Sequence, residues 1–265
     1  MAIRVDAGTL RAGLRSGAHG SIPPAMRQGT PVPEPDPPPA QLAAPDQLFP
    51  LTRHLSFRLT PVLLRLQVTP NAITWASLAA GVLGGACFAL GQQSWSVLGA
   101  LLLVLAYVLD NCDGEVARIR NLSSAFGAKL DDVADWLIDG FFFLALGYGT
   151  AAASGESLWL WLGAAATAGA TIDYLIDCYK DAQDAPDAEE AGRIRDEQAR
   201  NPRKPEDALD WVVYIFHKLS RADFCVIVLV LAMLQVTWVL LPLAAIGAQI
   251  YWMADLFSRV RGWHT

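Results

Sequence analysis

Charge is scarce in this sequence. Only 17% of the 265 residues are Asp, Glu, Lys or Arg, against 53% hydrophobic. That balance, with the apolar residues gathered into long runs, excludes an ordinary soluble domain of this length. Lys and Arg are missing altogether from three short turns, near 92–94, 153–156 and 235–238. Cysteine is scarce too. Cys87, Cys112, Cys178 and Cys225 show no CxxC spacing, no disulfide framework is expected, and they read as small buried apolar side chains. The first 30 residues lack an apolar core, so no cleavable signal peptide is expected. A GxGD element is absent, which removes the intramembrane aspartyl protease reading. No convincing repeat is present, and the ionisable groups gather at one end of the apolar runs, both of which argue against a carrier.

What is present is ordered along the chain. Residues 1–46, ending in PVPEPDPPPA, have the composition of a disordered Pro-rich cytoplasmic tail. Residues 47–67 carry Leu48, Leu51, Leu55, Leu59, Val62 and Leu66 at helical spacing, with Arg53, Arg58 and Arg65 among them. This predicts an amphipathic juxtamembrane helix in the headgroup region, with Pro61 placed to kink it. Six apolar segments follow, near 71–91, 95–118, 131–152, 157–178, 222–236 and 239–258. All 20 Lys and Arg residues fall in the tails, the juxtamembrane helix, the connections 118–130 and 179–221, or adjoining helix ends. Basic residues stay cytoplasmic. The expected fold is therefore an all-α integral membrane domain over 47–265, with six transmembrane helices after the juxtamembrane helix and both termini cytoplasmic. The 179–210 excursion reads as a solvated connector with a short helix around 187–200. Gly81 and Gly85 form a GxxxG suited to close helix packing, within or between protomers.

The stretch from Asp110 to Asp135, DNCDGEVARIRNLSSAFGAKLDDVAD, carries the chemistry. Asp110 and Asp113 are i,i+3 on one helix; Asp131 and Asp135 are i,i+4 on the next, so each pair shares a face. Two such faces turned together make an oxygen-rich pocket for Mg²⁺ or Mn²⁺. Asp110 lies roughly 22 Å along the helix that starts near Trp95, close to the inner edge of the bilayer core. Gly114, Ala117 and Gly127 leave room for a ligand. Arg118 offers a planar cation to phosphate oxygens. Ser123 or Ser124 can cap the next helix or bind a phosphate. Metals beside an Arg suit a pyrophosphate substrate, and a carboxylate with spare capacity can accept a proton from an attacking hydroxyl.

Asp110, Asp113, Gly114, Ala117, Arg118, Gly127, Asp131 and Asp135 fill every fixed position of the pattern D-x2-D-G-x2-A-R-x8-G-x3-D-x3-D, and the chain thereby resembles the CDP-alcohol phosphotransferases over about 47–260. Asn71 and Thr74 resemble that family's N-x2-T element of the donor site. The resemblance implies a two-metal site. Asp110, Asp113 and Asp131 would hold one ion; Asp110, Asp131 and Asp135 would share the second, with Asp135 also the general base. Gly114, Arg118 and Ser124 would contact the CDP moiety. The implied reaction transfers a phospho-alcohol, phosphatidyl in the lead reading, from a CDP-linked donor such as CDP-diacylglycerol to a small hydroxyl acceptor, releasing CMP. The alternatives are transfer between soluble polyol phosphates and, less favoured, a multi-pass transporter. The expected partners are membrane lipid and a second copy of the chain as a homodimer, with no nucleic acid; the expected compartment is a bacterial inner membrane.

Two departures bear on the acceptor. Many relatives carry Arg or Lys after the last motif aspartate, where this chain has Trp136; and Glu115 gives a DGE variant similar to that of enzymes joining inositol phosphate units. Asp139, Asp173, Asp177 and Arg221, the last together with Asp223, are candidates for the acceptor pocket. Lys129 sits on the motif connection, where facing headgroups is the simpler role.

Overall fold

The computed structural model describes residues 42, 50–183 and 223–260. The Pro-rich tail to residue 41, the helix expected around 187–200 and Arg221 lie outside the described residues. The described elements are all helical: α1 Leu51–Arg65, α2 Pro70–Ala89, α3 Gln93–Ile119, α4 Ala125–Ser154, α5 Leu158–Gln183, α6 Phe224–Met233, and, after a 3₁₀ turn at Thr237–Val239, α7 Leu240–Val260.

Local sequence explains where they begin and end. Pro70 opens α2 at its first turn, where a missing N–H costs nothing. Ser124 caps α4 by accepting from the Gly127 N–H at 3.0 Å, and Gly155, at φ 77°, ends it in the left-handed conformation. Asn121, at φ 53°, turns the chain between α3 and α4.

Three of these helices, α2, α3 and α4, are long and apolar enough to cross a bilayer. Their outward faces are apolar: Leu83 is 59% exposed, Leu101 50% and Tyr148 57%. A surface of this kind suits lipid rather than water. The predicted segment 222–236 is a helix of 10 residues, α6, about 15 Å long and so roughly half a bilayer core.

Helix α2 packs on α3 and α4, α4 on α5, α5 on α7, and α3 on α6 and α1. Phe88, Leu103, Phe142, Val228 and Leu241 are buried where these helices meet, with Phe88 and Phe142 edge to face at 5.1 Å. Close backbone approach does much of the packing, as expected where water does not drive association. A Cβ on Gly84 would sit 2.8 Å from the Gly99 carbonyl oxygen, and one on Gly99 2.6 Å from that of Gly84. The GxxxG residues Gly81 and Gly85 face Ile138 and Phe141 of α4, so that face packs within the chain.

Helix α1 differs from its expectation. Its buried residues are not the leucines but a hydroxyl stripe, Thr52, Ser56 and Thr60. Ser56 Oγ and Thr60 Oγ1 donate to the two Glu115 carboxylate oxygens at 2.9 and 2.5 Å. Asp223 accepts from the Leu51 and Thr52 N–H groups at 2.8 and 3.1 Å, capping α1 where Pro50 cannot. At the other end Arg120 donates to the Leu64 and Val68 carbonyls, both at 2.8 Å. Both carboxylates are buried, so their acceptor capacity has to be met inside the protein, and α1 meets it. The helix runs through Pro61 without a break.

Candidate active site

The last turns of α3 carry Asp110, Asp113, Gly114, Ala117 and Arg118; the first turns of α4 carry Gly127, Asp131 and Asp135. The two helices bring Asp110, Asp113 and Asp131 together, with one carboxylate oxygen from each within 4.8 Å of the others. Asp135, one turn beyond Asp131, lies beside Asp110. Asp131 Oδ1 is buried and has no hydrogen-bond partner among the described residues. An orphaned carboxylate oxygen inside an all-oxygen cluster fits a hard divalent cation, which would complete both.

The cluster separates two cavities. The smaller, about 210 Å³, is lined by Asn71, Thr74, Asp113, Gly114, Ala117, Arg118, Ser123, Ser124, Gly127 and Asp131. Every residue expected on the donor side therefore converges on one groove. Thr74 Oγ1 donates to Asp113 Oδ2, fixing that carboxylate from α2. A Cβ on Gly114 would lie 3.2 Å from Arg118 Nη1, so the guanidinium folds back over the glycine. Gly127 faces Asn71 across the groove, its Cβ position 3.4 Å from Asn71 Oδ1. Ser124 spends its side chain on the cap of α4; Ser123 lines the groove.

The larger cavity, about 910 Å³, opens on the other side, onto Asp110 and Asp135. The candidates Lys129, Trp136, Asp139, Asp173 and Asp177 all line it. Asp139 Oδ1 accepts from the Tyr107 hydroxyl at 3.1 Å. Trp136 stacks on Tyr174, ring centroids 5.1 Å apart and 13° from parallel, and donates its indole N–H to Thr171 Oγ1 at 3.2 Å. Asp177 is ion-paired with Lys180 at 2.5 Å.

One sequence candidate finds other work. Asp223, named with Arg221 for an anion pocket, is engaged as the cap of α1. Glu115, the residue that makes the DGE variant, accepts from Ser56 and Thr60 of α1. Residues passed over by the sequence reading include Tyr107, Asn111, Tyr174 and Tyr251 on the larger cavity. Tyr107 was within reach of helical arithmetic, one turn before Asp110; Tyr251 left no signal, since only the packing of α7 on α5 brings it there.

The chain matches the family model for CDP-alcohol phosphatidyltransferase over residues 67–252. It is 30% identical over 122 residues to a bifunctional IPC transferase and DIPP synthase of Thermococcus kodakarensis, covering 46% of this chain and 26% of that protein. It is 40% identical over 77 residues to a CDP-diacylglycerol–glycerol-3-phosphate 3-phosphatidyltransferase of Rickettsia bellii, covering 29% of this chain and 42% of that one. To a CDP-diacylglycerol–serine O-phosphatidyltransferase of Mycobacterium bovis it is 41% identical over 70 residues, 26% of this chain and 23% of the other. The chain thus spans less than half the length of each of these relatives. With a model match across most of its length, on the helices that build the carboxylate cluster, the chain belongs to the CDP-alcohol phosphatidyltransferase family.

Proposed function

We propose that this protein transfers a phosphatidyl group from CDP-diacylglycerol to the hydroxyl of a small acceptor, releasing CMP. The observation that carries the reading is the carboxylate cluster standing between two cavities, with Arg118 and the small residues on one side and Asp135 open to the other. The donor pyrophosphate lies in the smaller groove against Arg118, Asn71 and Thr74. The acceptor hydroxyl comes from the larger cavity and gives its proton to Asp135. Its oxygen forms the new bond to the phosphorus that bears the lipid alcohol; the bond from that phosphorus to the bridging oxygen breaks, and CMP leaves with the electron pair. Asp110, Asp113, Asp131 and Asp135 would hold Mg²⁺ or Mn²⁺, which offsets the charge of the phosphoryl oxygens and the leaving phosphate.

A second reading, transfer between soluble polyol phosphates, is supported by the similarity to the IPC transferase of T. kodakarensis. The exposed apolar faces of α2, α3 and α4 favour the lipid donor. The membrane setting is proposed with the reaction: six spans in a bacterial inner membrane, both termini and the site cytoplasmic as the basic residues require, a catalytic domain over 47–265 behind a Pro-rich tail, and a homodimer.

The test is CMP release by the purified full chain from CDP-diacylglycerol with Mg²⁺ or Mn²⁺ and an acceptor panel, with lipid products identified by mass spectrometry. CMP from a soluble CDP-polyol and none from CDP-diacylglycerol would establish the second reading. Asp135→Asn releasing CMP at the wild-type rate would remove Asp135 as base.

A further inference from the structure

We infer that Glu115 is a positioning residue for the metal and donor side of the site, and that α1 acts through it as a splint on the last turns of α3. This rests on the metal-dependent transfer reading and adds to it a residue whose part is geometric.

The smaller groove depends on the end of a helix. Asp113, Gly114, Ala117 and Arg118 all lie close to the point where α3 stops, at Ile119. The last four carbonyls of a helix have no partner within it, and helix ends fray. A displacement of about 1 Å can cost about a hundredfold in rate. The end of α3 therefore has to be held from outside.

Its two sides divide the work. Asp110, Asp113, Gly114 and Ala117 face the carboxylate cluster and its cavities. Val108, Cys112, Glu115 and Val116, at i, i+4, i+7 and i+8, fall on the opposite side and are buried toward α1. Ile73 of α2 is buried in the same cluster, next to Thr74, whose hydroxyl donates to Asp113 Oδ2. Just past the end of α3, Arg120 is tied to the carbonyls of Leu64 and Val68.

Within this packing Glu115 sets the register. Apolar contact is non-directional and by itself tolerates sliding. The Glu115 carboxylate gives one oxygen to Ser56 Oγ, at 2.9 Å, and the other to Thr60 Oγ1, at 2.5 Å. Those hydroxyls stand one turn apart on α1, so a shift of α1 along or about its axis breaks at least one bond. A leucine could fill the same place without the cost of burying a charge. The protein instead keeps a carboxylate there, two residues from a member of the metal cluster, with both oxygens turned to another helix.

The experiment measures Mn²⁺ binding to the purified full chain from the EPR signal of the free ion, which needs no turnover. KM is measured alongside for CDP-diacylglycerol and for the acceptor that turns over. Two variants separate register from charge. Glu115→Gln removes the charge and keeps a carbonyl and an amide able to bond both hydroxyls. Glu115→Leu keeps the bulk and removes the bonds; the hydroxyls can then turn to α1 carbonyls, as Ser56 Oγ already does toward Arg53 at 3.2 Å. Glu115→Leu should weaken Mn²⁺ binding about tenfold and raise the donor KM with the acceptor KM unchanged, while Glu115→Gln stays near wild type. Ser56→Ala, with only one bond removed, should shift both constants the same way by about threefold, and covers the case in which Glu115→Leu does not fold. A purely structural role would lower the thermal midpoint and the fraction of protein that binds, and leave the Mn²⁺ Kd of that fraction unchanged; that result overturns the inference. So does Glu115→Gln binding Mn²⁺ as weakly as Glu115→Leu, which would make the effect one of charge. The expected Mn²⁺ pattern with no CMP from any donor would sink the transfer reading and keep Glu115 in its place. CMP release with wild-type Mn²⁺ binding in Glu115→Leu and Ser56→Ala would do the reverse.

Discussion

The two cavities that flank the carboxylates are built from very different lengths of chain. The smaller groove draws its wall from Pro70 to Asp131, two consecutive helix ends and the start of a third. The larger cavity takes residues from Pro50 to Tyr251, brought together by five helices, α1, α3, α4, α5 and α7, and the residue before α1. One is lined by Gly, Ala, Ser and a guanidinium beside Asp113 and Asp131, which suits the proposed nucleotide pyrophosphate. The other sets aromatic rings among its carboxylates. A groove encoded locally can be kept as a unit, while a cavity assembled from distant segments can change its occupant by changing one helix.

The predictions below separate the two sides, beginning with the change that removes both. Chelation by EDTA should abolish CMP release, and Mn²⁺ or Mg²⁺ should restore it; activity that survives chelation would remove the metal from the proposal. Asp135→Asn should lower kcat by about 10²–10⁴-fold, the usual worth of a general base, with the fold retained by circular dichroism. Gly114→Val should crowd Arg118 and raise the donor KM by about tenfold or more, leaving the acceptor KM alone. An equal rise in both constants would mean that the cavities are not independent. Thr60→Val leaves one oxygen of buried Glu115 without its donor, and should cost about 1–3 kcal/mol of stability, read as a lower thermal midpoint. Trp136→Phe should have the smallest effect, a loss of about 1 kcal/mol from the missing bond to Thr171, visible in the acceptor KM and not in the donor KM.

How much of this the sequence disclosed follows the same division. The smaller groove was legible because i,i+3 and i,i+4 spacing fixes which side chains share a face, and all its residues but Pro70, Asn71 and Thr74 belong to two helix ends and their connection. Asp139, Asp173 and Lys129 could be named as candidates, but not as one wall, because helix periodicity carries no information about which face of α5 meets α4. The partners of Glu115 and Asp223 were hidden for a related reason. The hydroxyls and amides that satisfy these two carboxylates lie in α1, 55 to 172 residues away. The amphipathic pattern of residues 47–67 counted leucines and overlooked Thr52, Ser56 and Thr60, which recur at i,i+4 and form the buried stripe.

The bond from Asp223 to the first turn of α1 also sets a sequence of events in time. Leu51 and Thr52 are synthesised first, and their cap follows 172 and 171 residues later. At a ribosomal rate of roughly 5–20 residues per second, that interval is about 9–35 s. During it α1 has no carboxylate at its amino end. Helices α2 to α5 must be made, and the chain must return at Asp223, before the helix can be fastened. The first of the described helices to leave the ribosome is therefore among the last to be locked, and its docking reports that synthesis has reached the start of α6.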